Sequence, residues 1–223
     1  MRLRQRIITI DGPSGSGKST ISRLLAQRLG ATYLDTGAMY RAVGLLAKRQ
    51  AIDLADDEAV RRLLAGLDLQ LSPGVTDAKV IVNGEDVSEA IRTAEMGMMA
   101  SKVSALGQVR QALTTRQQAL GAKQSVVAEG RDMGTVVFPH ADHKFFLSAS
   151  PEERARRRTE QLQEKGLPAT YEEIFTQIAQ RDHDDSSRAL APLKAAPDSV
   201  VIDSSAIGIA EVVEVMLRTI KQP

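Results

Sequence analysis

The stretch IITIDGPSGSGKST, residues 7–20, decides the fold of this chain. Residues 7–10 are all β-branched, which is typical of a strand that is buried on both faces of a parallel sheet. A loop of Gly, Ser and Pro follows, and residues 19–29 then place four Ile and Leu side chains on one face of a helix. Gly30 is a natural residue to end that helix. The stretch therefore predicts a strand, a glycine-rich loop and a helix in succession.

The loop matches the phosphate-binding pattern GxxxxGK(S/T). In such a loop, backbone N–H groups surround a phosphate chain, and the helix dipole adds to the attraction for the anion. The alternative, a Gly- and Ser-rich surface turn, is disfavoured because the strand and the helix are both present. We expect Lys18 to contact the β- and γ-phosphates of a nucleoside triphosphate and Ser19 to bind Mg²⁺. The residues predicted to bind this nucleotide are Gly12, Pro13, Ser14, Gly15, Ser16, Gly17, Lys18, Ser19 and Thr20.

The composition excludes several classes of protein. With 29 Lys and Arg against 28 Asp and Glu, the net charge of +1 gives no global field that would attract nucleic acid. The absence of cysteine excludes a disulfide scaffold and suits a reducing compartment. No apolar run approaches the ~18 residues of a membrane span. We expect a cytoplasmic monomer with small-molecule substrates, and neither nucleic acid nor a membrane as a partner.

Further apolar runs alternate with helical patterns along the chain. A second strand ends at Asp35 and precedes a helix over residues 38–47, and three more strands are predicted at 126–128, 144–147 and 200–202. Five strands interleaved with helices indicate an α/β fold, a three-layer α/β/α core with a five-stranded parallel sheet. Function is then expected at the carboxyl ends of the strands.

One segment, residues 67–93, interrupts this alternation. Residues 67–72 alternate between apolar and polar, and Asn83-Gly84 lies between two extended runs, which predicts a β-hairpin. We therefore divide the chain into a core, 1–66 and 94–223, and a small antiparallel β insert. The insert is either a solvent-facing hairpin or a subdomain that closes on a second substrate, and the residues alone leave both open.

An arginine-rich helix is predicted over residues 151–166. Two Glu and Arg pairs stand four residues apart, which favours a solvated helix. These pairs are Glu152 with Arg156 and Glu153 with Arg157. Arg154 and Arg158 share a face and have no such acidic partner upstream, which favours instead a lid, about 151–169, that faces phosphate.

A phosphate-binding loop does not name a reaction, since GTPases, ATPases and kinases all use one. The Asp-x-x-Gly and Asn-Lys-x-Asp patterns of guanine switches are absent from the sequence. Arginines do occur at predicted strand ends and loops, at Arg41, Arg131, Arg181 and Arg188. Because arginine captures phosphate with two parallel hydrogen bonds, these residues predict a second anion site that faces the first.

Five stretches in order resemble the bacterial cytidylate kinases across nearly the whole chain. They are IDGPSGSGKST, YLDTGAMYRA, NGEDVSEAIRT, EGRDMGTVVFP and RDHDDSSRALAPLKAAPDSVVIDSS. The first is shared by many ATP-binding proteins, whereas the other four together are specific. The resemblance implies a P-loop kinase core with a helical lid and an NMP-binding insert. It also implies transfer of the γ-phosphoryl group of ATP to CMP or dCMP.

The resemblance further implies an acceptor site. The phosphate of the acceptor is bound by Arg41, Arg131 and Arg188, with Thr36 close by; cytosine by Ser101, Arg110 and Asp132; and the sugar by Arg181 and Asp185. A carboxylate and an arginine match the donor and acceptors of cytosine and reject the reversed pattern of uracil. Two positions vary in this family. Position 36 is Thr here, where Ser also occurs, and both residues keep a hydroxyl. Position 129 is Glu here, where Asp also occurs, and the longer side chain is expected to shift a contact to a metal-bound water without abolishing it.

The nucleophile in such a transfer is a phosphate oxygen that is already ionised, so no general base is required. Catalysis then consists of positioning and charge neutralisation, and closure of the lid excludes water. The residues expected to act on the donor phosphates or the transferring group are Lys18, Arg131, Arg188, Arg154 and Arg158. Asp203, at the end of the last strand, and the three histidines are expected to have no catalytic or metal-binding role.

Three other functions compete with this interpretation. The nearest is a kinase of the same fold for thymidylate or shikimate, which the cytosine-reading set disfavours. The second is an ATP-binding module without catalysis, for which no second ligand is expected. The third is an ATPase stimulated by nucleic acid, which near-neutral charge and 3% aromatic residues disfavour.

Overall fold

The computed structural model describes residues 5–71 and 79–221. Some predicted segments include residues beyond these ranges, such as Ser72 in the predicted β insert, and those residues lie outside the described part of the chain. The strands are β1 (Ile7–Asp11), β2 (Thr32–Asp35), β3 (Leu69–Leu71), β4 (Val80–Val82), β5 (Glu85–Asp86), β6 (Val126–Gly130), β7 (His143–Ser148) and β8 (Val200–Asp203). The helices are α1 (Lys18–Leu29), α2 (Thr36–Arg49), α3 (Asp57–Ala65), α4 (Ala94–Ser104), α5 (Gly107–Gly121), α6 (Pro151–Glu164), α7 (Tyr171–Ser187) and α8 (Ile209–Lys221), with a 3₁₀ turn at Ala90–Arg92 and a π-helical turn at Met133–Val137.

The central sheet contains the five predicted strands, all parallel, in the order β2-β6-β1-β7-β8. Its two faces carry separate hydrophobic clusters, because successive side chains of a strand point in opposite directions. Val127 packs with α1 and α8 on one face, whereas its neighbour Ala128 packs with α2, α4 and α5 on the other. The predicted three-layer α/β/α core is therefore confirmed.

The strand order brings together the carboxyl ends of β1, β2 and β6, where functional residues are expected. Asp11 at the end of β1 pairs in register with Gly130 of β6, and Glu129 pairs with Asp35 of β2. The loops that leave β1, β2 and β6 consequently begin side by side. Asp203 ends β8, which is separated from β1 by β7.

The segment between α3 and α4 contains the predicted antiparallel sheet, in the order β3-β4-β5. Asn83 and Gly84 both have positive φ, 51° and 84°, as the tight hairpin turn between β4 and β5 requires. Val80 and Val82 pack in the same hydrophobic cluster as α2. The sheet thus covers α2 and is not simply a projection into solvent.

Helices α6 and α7 form a hairpin with a small hydrophobic cluster of its own, made of Ala155, Ile174 and Ile178. The sequence predicted α6 but not α7. Arg181 therefore lies within a helix, as Arg41 does within α2, and the predicted placement of these two arginines at strand ends or loops was wrong. On a partly buried face of α6 the predicted pair of Glu153 and Arg157 is confirmed at 2.7 Å.

The other predicted pair on α6, Glu152 with Arg156, was wrong. Arg156 instead donates to Glu153 and to Glu160, at 2.7 Å and 2.6 Å. Acidic residues three positions before and four positions after the arginine thus compete successfully with Glu152.

Within the described ranges, no helix is both long enough and apolar enough to cross a membrane.

Candidate functional site

The loop between β1 and α1 has the shape of a phosphate cradle. Gly17, the residue before α1, adopts the left-handed conformation with φ of 89°, which turns the loop into the helix. Gly12 lies against β7 so closely that an added Cβ would come within 2.0 Å of the carbonyl oxygen of Leu147. The loop backbone is thereby fixed between the sheet and the N-terminus of α1, where free N–H groups attract anions.

Lys18 is buried over this loop, with 6% of its surface exposed. Its Nζ donates to the carbonyl oxygen of Pro13 at 2.5 Å and lies 3.4 Å from the hydroxyl of Ser16. Burial lowers the pKa of Lys18 well below its usual value, and the nearby positive charge of Arg131 lowers it further. An anionic phosphate bound beside Lys18 would oppose both effects.

A polar cavity of about 160 Å³ opens between this loop and the helices α2, α4, α5 and α7. Four residues of the loop line it: Ser14, Gly15, Lys18 and Ser19. All nine residues predicted to bind the acceptor line it as well: Thr36, Arg41, Ser101, Arg110, Arg131, Asp132, Arg181, Asp185 and Arg188. The structure thus brings the predicted acceptor residues together and places them opposite the predicted donor loop. Gly12, Pro13, Ser16, Gly17 and Thr20 belong to the loop or to the first turn of α1 but do not line the cavity.

One end of the cavity carries a buried pair of opposite charges. Arg110 on α5 donates to the carboxylate of Asp132, which follows β6, and to the carbonyl oxygen of Ser104 at 3.2 Å. Burial raises the pKa of Asp132, although the charge of Arg110 opposes this rise. A carboxylate and a guanidinium held side by side can present both an acceptor and donors to one planar ligand.

A second charged group lies between α7 and the end of β6. The Nε of Arg131 donates to Asp185 at 2.7 Å, and Arg188 donates to the hydroxyl of Ser104 at 2.7 Å. Burial favours the neutral form of Asp185, but Arg131, Arg181 and Arg188 together hold the pKa of this carboxyl below its usual value. The carboxylate therefore stays ionised and keeps several arginines together that would otherwise repel one another.

The arginines retain unused hydrogen-bonding capacity. Among the described residues, the buried Nε atoms of Arg41, Arg181 and Arg188 have no hydrogen-bond partner. Burial lowers the pKa of Arg181 to about 10, and the neighbouring charge of Arg131 adds to this effect. Because unpaired buried donors are costly, an anion with several oxygens would stabilise this group.

Asp11 connects the donor loop to the acceptor residues. Its two carboxylate oxygens accept hydrogen bonds from the backbone N–H groups of Met133 and Gly134, at 2.8 Å and 2.7 Å. This fixes the turn that begins immediately after Arg131 and Asp132. Burial raises the pKa of Asp11 to about 6, which its two hydrogen bonds partly oppose. The sequence contained this acid, but nothing in the local pattern indicated its distant partners.

A cluster of hydroxyl groups surrounds Glu129 beside the donor loop. The hydroxyl of Ser19 donates to Oε2 of Glu129 at 3.0 Å, the hydroxyl of Tyr33 donates to Oε1, and Thr36 donates to the backbone carbonyl oxygen at 2.6 Å. Asp35 contributes a further carboxylate, 3.1 Å from Nη2 of Arg41. Burial raises the pKa of Glu129, and the negative charge of Asp35 raises it further.

This cluster fits a magnesium ion that is held partly by phosphate. Mg²⁺ is usually bound by one or two carboxylates or hydroxyls together with phosphate oxygens and water. Ser19 and Glu129 supply such oxygen ligands at the wall of the cavity. In the part of the chain that the structure describes, no group of three or more His, Cys, Asp or Glu residues could hold a metal by itself.

The two lid arginines lie outside the cavity. Arg154 is buried and donates to the carbonyl oxygen of Ser14 at 3.0 Å and to Asp182 of α7 at 2.5 Å, so it supports the donor loop from behind. Arg158 donates to Gln161 at 2.6 Å on the partly exposed face of α6. Of the five predicted catalytic residues, the cavity contains Lys18, Arg131 and Arg188.

Residues 8–222 match the family model described as cytidylate kinase. The chain belongs to the cytidylate kinase family. The cytidylate kinase of Geobacter sp. (strain M21) is 52% identical to it over 216 residues, which cover 97% of this chain and 93% of that protein. The cytidylate kinase of Azotobacter vinelandii is 49% identical, over 99% of this chain and 97% of its own length. The resemblance inferred from the five sequence stretches is confirmed, and the chain is a kinase.

Solved structures agree with the cytidylate kinase fold at a coarser level. The shikimate kinase of Bacteroides thetaiotaomicron superposes with a TM-score of 0.51 at 13% identity, over 97% of this chain and 99% of the other. An uncharacterized protein from Eubacterium ventriosum gives a TM-score of 0.55 at 12% identity, over 98% and 100% of the two chains. At these identities the likeness concerns the fold alone.

Some members of the site were not identified from the sequence. Besides Asp11, these are Tyr33, Asp35, Tyr40, Ser104 and Asp182. Tyr33, Asp35 and Tyr40 lie inside the stretch YLDTGAMYRA, which carries part of the cytidylate kinase resemblance. The stretch was recognised as a whole, but no role was assigned to these three residues. Asp182 likewise lies inside the fifth stretch, whereas Ser104 lies within α4 and outside all five stretches.

Proposed function

We propose that this chain transfers the γ-phosphoryl group of ATP to CMP or dCMP, giving ADP and CDP or dCDP. The observation that carries the proposal is that one cavity contains all nine predicted acceptor residues and four residues of the donor loop. Membership of the cytidylate kinase family supports the choice of acceptor. A donor loop that faced an uncharged or apolar cavity would not have supported it.

On the donor side, the loop backbone and Lys18 bind the phosphates of ATP. Lys18 is held against Pro13 at the wall of the cavity, where its charge can follow the γ-phosphoryl group during transfer. Mg²⁺, when bound by Ser19 and Glu129 with the phosphates, neutralises the charge of the phosphate chain. Arg154 keeps the loop in place through Ser14.

On the acceptor side, Arg41, Arg131 and Arg188 bind the phosphate of the nucleotide. Asp132 accepts from the amino group of cytosine, and Arg110 donates to its ring nitrogen and carbonyl oxygen. Ser101 completes the base site, Thr36 lies near the phosphate, and Arg181 and Asp185 bind the sugar. The unpaired Nε donors of three of these arginines support an anionic ligand of this kind.

The chain supplies positioning and charge, and no side chain acts as a general base. The attacking oxygen belongs to a phosphate that is ionised at neutral pH, so it needs no deprotonation. The arginines hold this oxygen opposite the γ-phosphoryl group and reduce the repulsion between the two anions. Arg158 is proposed to reach the transferring group when the α6–α7 hairpin closes and excludes water.

The proposal includes the setting of the reaction. The donor is ATP with Mg²⁺, the substrates are small molecules, and the protein acts as a monomer in the cytoplasm. Near-neutral net charge supports the absence of a nucleic-acid partner.

The test is ADP release from ATP and Mg²⁺ with CMP, dCMP, UMP, AMP, dTMP and shikimate offered in parallel, each against a blank without acceptor. We expect turnover confined largely to CMP and dCMP, and a blank rate that is low because ATP is not wasted on water. Turnover mainly with another acceptor would contradict the roles of Ser101, Arg110 and Asp132. A blank rate equal to the rate with CMP would contradict the two-site arrangement.

A further inference from the structure

Glu129 accepts hydrogen bonds from hydroxyl groups of three different elements, two of them on its carboxylate and one on its backbone carbonyl oxygen. Tyr33 of β2 donates to Oε1, Ser19 of α1 donates to Oε2, and Thr36 at the start of α2 donates to the carbonyl oxygen of the same residue. Only 5% of Glu129 is exposed. Ser19 is the residue that the loop pattern assigns to Mg²⁺, so the Ser19 contact ties Glu129 to the metal site.

Tyr33 is the rigid member of this group. Its ring is buried in the hydrophobic cluster beneath α1, with 7% of the residue exposed, and the guanidinium of Arg23 lies over the ring at 5.6 Å. Pairing of β2 with β6 also fixes the backbone of Tyr33 relative to that of Glu129, since Tyr33 pairs with Val127 and Asp35 pairs with Glu129. The phenol hydroxyl therefore has one available position.

Glu129, by contrast, has three side-chain torsions that must be fixed before its carboxylate can serve a metal. A glutamate side chain has considerable rotamer freedom, and ordering it at the moment of binding would weaken the binding. The bond from Tyr33 occupies one oxygen and leaves the other directed at Ser19. We propose that Tyr33 is a positioning residue that presents Oε2 of Glu129 to the magnesium ion of Mg·ATP. This inference rests on the proposed function, because it takes Mg·ATP to be the donor.

The main test is Tyr33→Phe, which keeps the ring in its cluster and under Arg23 but removes the hydroxyl. We expect the Mg²⁺ concentration that gives half-maximal turnover to rise about fivefold, with the KM for CMP changed less than twofold. A readout without turnover is the thermal stabilisation by ATP, measured once with Mg²⁺ and once with EDTA. In Tyr33→Phe the additional stabilisation due to Mg²⁺ should be lost in large part, and the stabilisation that remains in EDTA should be kept.

Tyr171→Phe is the matched control. It removes the same hydroxyl from an exposed tyrosine that stacks on Phe175, on the lid hairpin and outside the cavity. Both readouts should equal those of the wild type. The chain has three tyrosines and no tryptophan, so the near-ultraviolet circular dichroism of the two variants reports whether the remaining tyrosine environments are intact.

Glu129→Ala tests whether Tyr33 acts through Glu129. Addition of Tyr33→Phe to Glu129→Ala should change the Mg²⁺ dependence less than twofold, because the group that Tyr33 positions is gone. A further fivefold rise in the double variant would overturn the inference, as would an unchanged Mg²⁺ dependence of Tyr33→Phe in an otherwise active enzyme. Stabilisation of the wild type by ATP that is equal with Mg²⁺ and with EDTA would overturn it as well.

Failure of this inference and failure of the proposed function have different signatures. If the wild type does not phosphorylate CMP or dCMP but Tyr33→Phe still loses the Mg²⁺-dependent stabilisation by ATP, the function is rejected and the inference is kept. If the wild type phosphorylates CMP and both readouts of Tyr33→Phe match those of Tyr171→Phe, the function is kept and the inference is rejected.

Discussion

The proposed donor loop and the proposed acceptor cleft are built to bind phosphate by opposite means. The donor loop is a single stretch of eight residues, 12–19, whose recognition groups are mostly backbone N–H groups placed by glycines. The acceptor cleft collects side chains from residue 36 to residue 188, and its arginines are held by carboxylates and hydroxyls of other elements. Local backbone geometry decides the first site, and long-range packing of charges decides the second.

This difference predicts how each site fails. A backbone site tolerates changes of its side chains but not an added Cβ that displaces its main chain, with Lys18 as the exception because it carries the charge. A charged cleft fails when one member of a pair is neutralised, since its partner is then left buried and unpaired. The substitutions below test these statements, in order of decreasing effect.

Lys18→Met keeps the length of the side chain and removes the charge from the donor loop. We expect kcat to fall by about 10³, because a charge that stabilises the transferring group is lost from a buried site. Lys48→Met is the control, since Lys48 forms an exposed pair with Glu95 at 2.6 Å. A decrease of less than tenfold in steady-state kcat would mean that the backbone alone supports transfer.

Gly12→Ala tests the backbone of the donor loop. The added Cβ would meet the carbonyl oxygen of Leu147 at 2.0 Å, so we expect the free energy of unfolding to decrease by about 3 kcal/mol or more. Gly30→Ala is the matched control, because Gly30 has φ of 63° and no heavy atom within 4 Å of an added Cβ. Only the left-handed conformation penalises that variant, by about 1–2 kcal/mol. Equal losses in urea denaturation would contradict the close packing of the loop on β7.

Asp132→Asn tests the acceptor cleft. The amide cannot accept from cytosine as the carboxylate does, and it leaves Arg110 without its ionic partner, so kcat/KM for CMP should fall by about 10², equivalent to about 2.7 kcal/mol. The KM for ATP should change less than twofold. Asp198→Asn is the control, because the exposed carboxylate of Asp198 pairs with Lys144 and does not line the cavity. A similar loss for ATP and CMP would show that the two sites are not separable in this way.

Arg158→Ala tests the part of the lid that lies outside the cavity. If Arg158 reaches the transferring group on closure, kcat should fall about tenfold, the equivalent of about 1.4 kcal/mol. Arg156→Ala on the same helix is the control, since its bonds to Glu153 and Glu160 are exposed. A single-turnover rate that does not change in Arg158→Ala would exclude a transition-state role for this residue.

The same contrast explains what the sequence could predict. The strands and the donor loop follow from local patterns, so β1, the loop and α1 were found from residues 7–30 alone. The residues alone indicated four arginines as a second anion site, but the other acceptor residues and all the individual roles came only from the resemblance to a family. No spacing rule links Arg110 with Asp132 or Arg131 with Asp185. Contacts between residues so far apart in sequence depend on the completed fold.

Helix α7 was missed for a different physical reason. Its start carries a capping box at Thr170 and Glu173, which is a recognisable signal. Its apolar face is short, however, since Ile174 and Ile178 pack mainly on Ala155 of α6. A helix that buries so little surface leaves a weak hydrophobic period in the sequence, and the polar residues that follow read as a loop.

Asp11 limits how this chain could acquire a different acceptor. Its backbone leads directly into the donor loop, and its carboxylate holds the turn that follows Asp132, the residue proposed to read the base. The backbone of Asp11 thus belongs to the proposed donor side and its carboxylate to the proposed acceptor side, so we expect a replacement at position 11 to disturb both. A protein engineer who wishes to redirect the specificity of the enzyme would have to work outward from Asp132 towards α4 and α5, and leave β1 untouched.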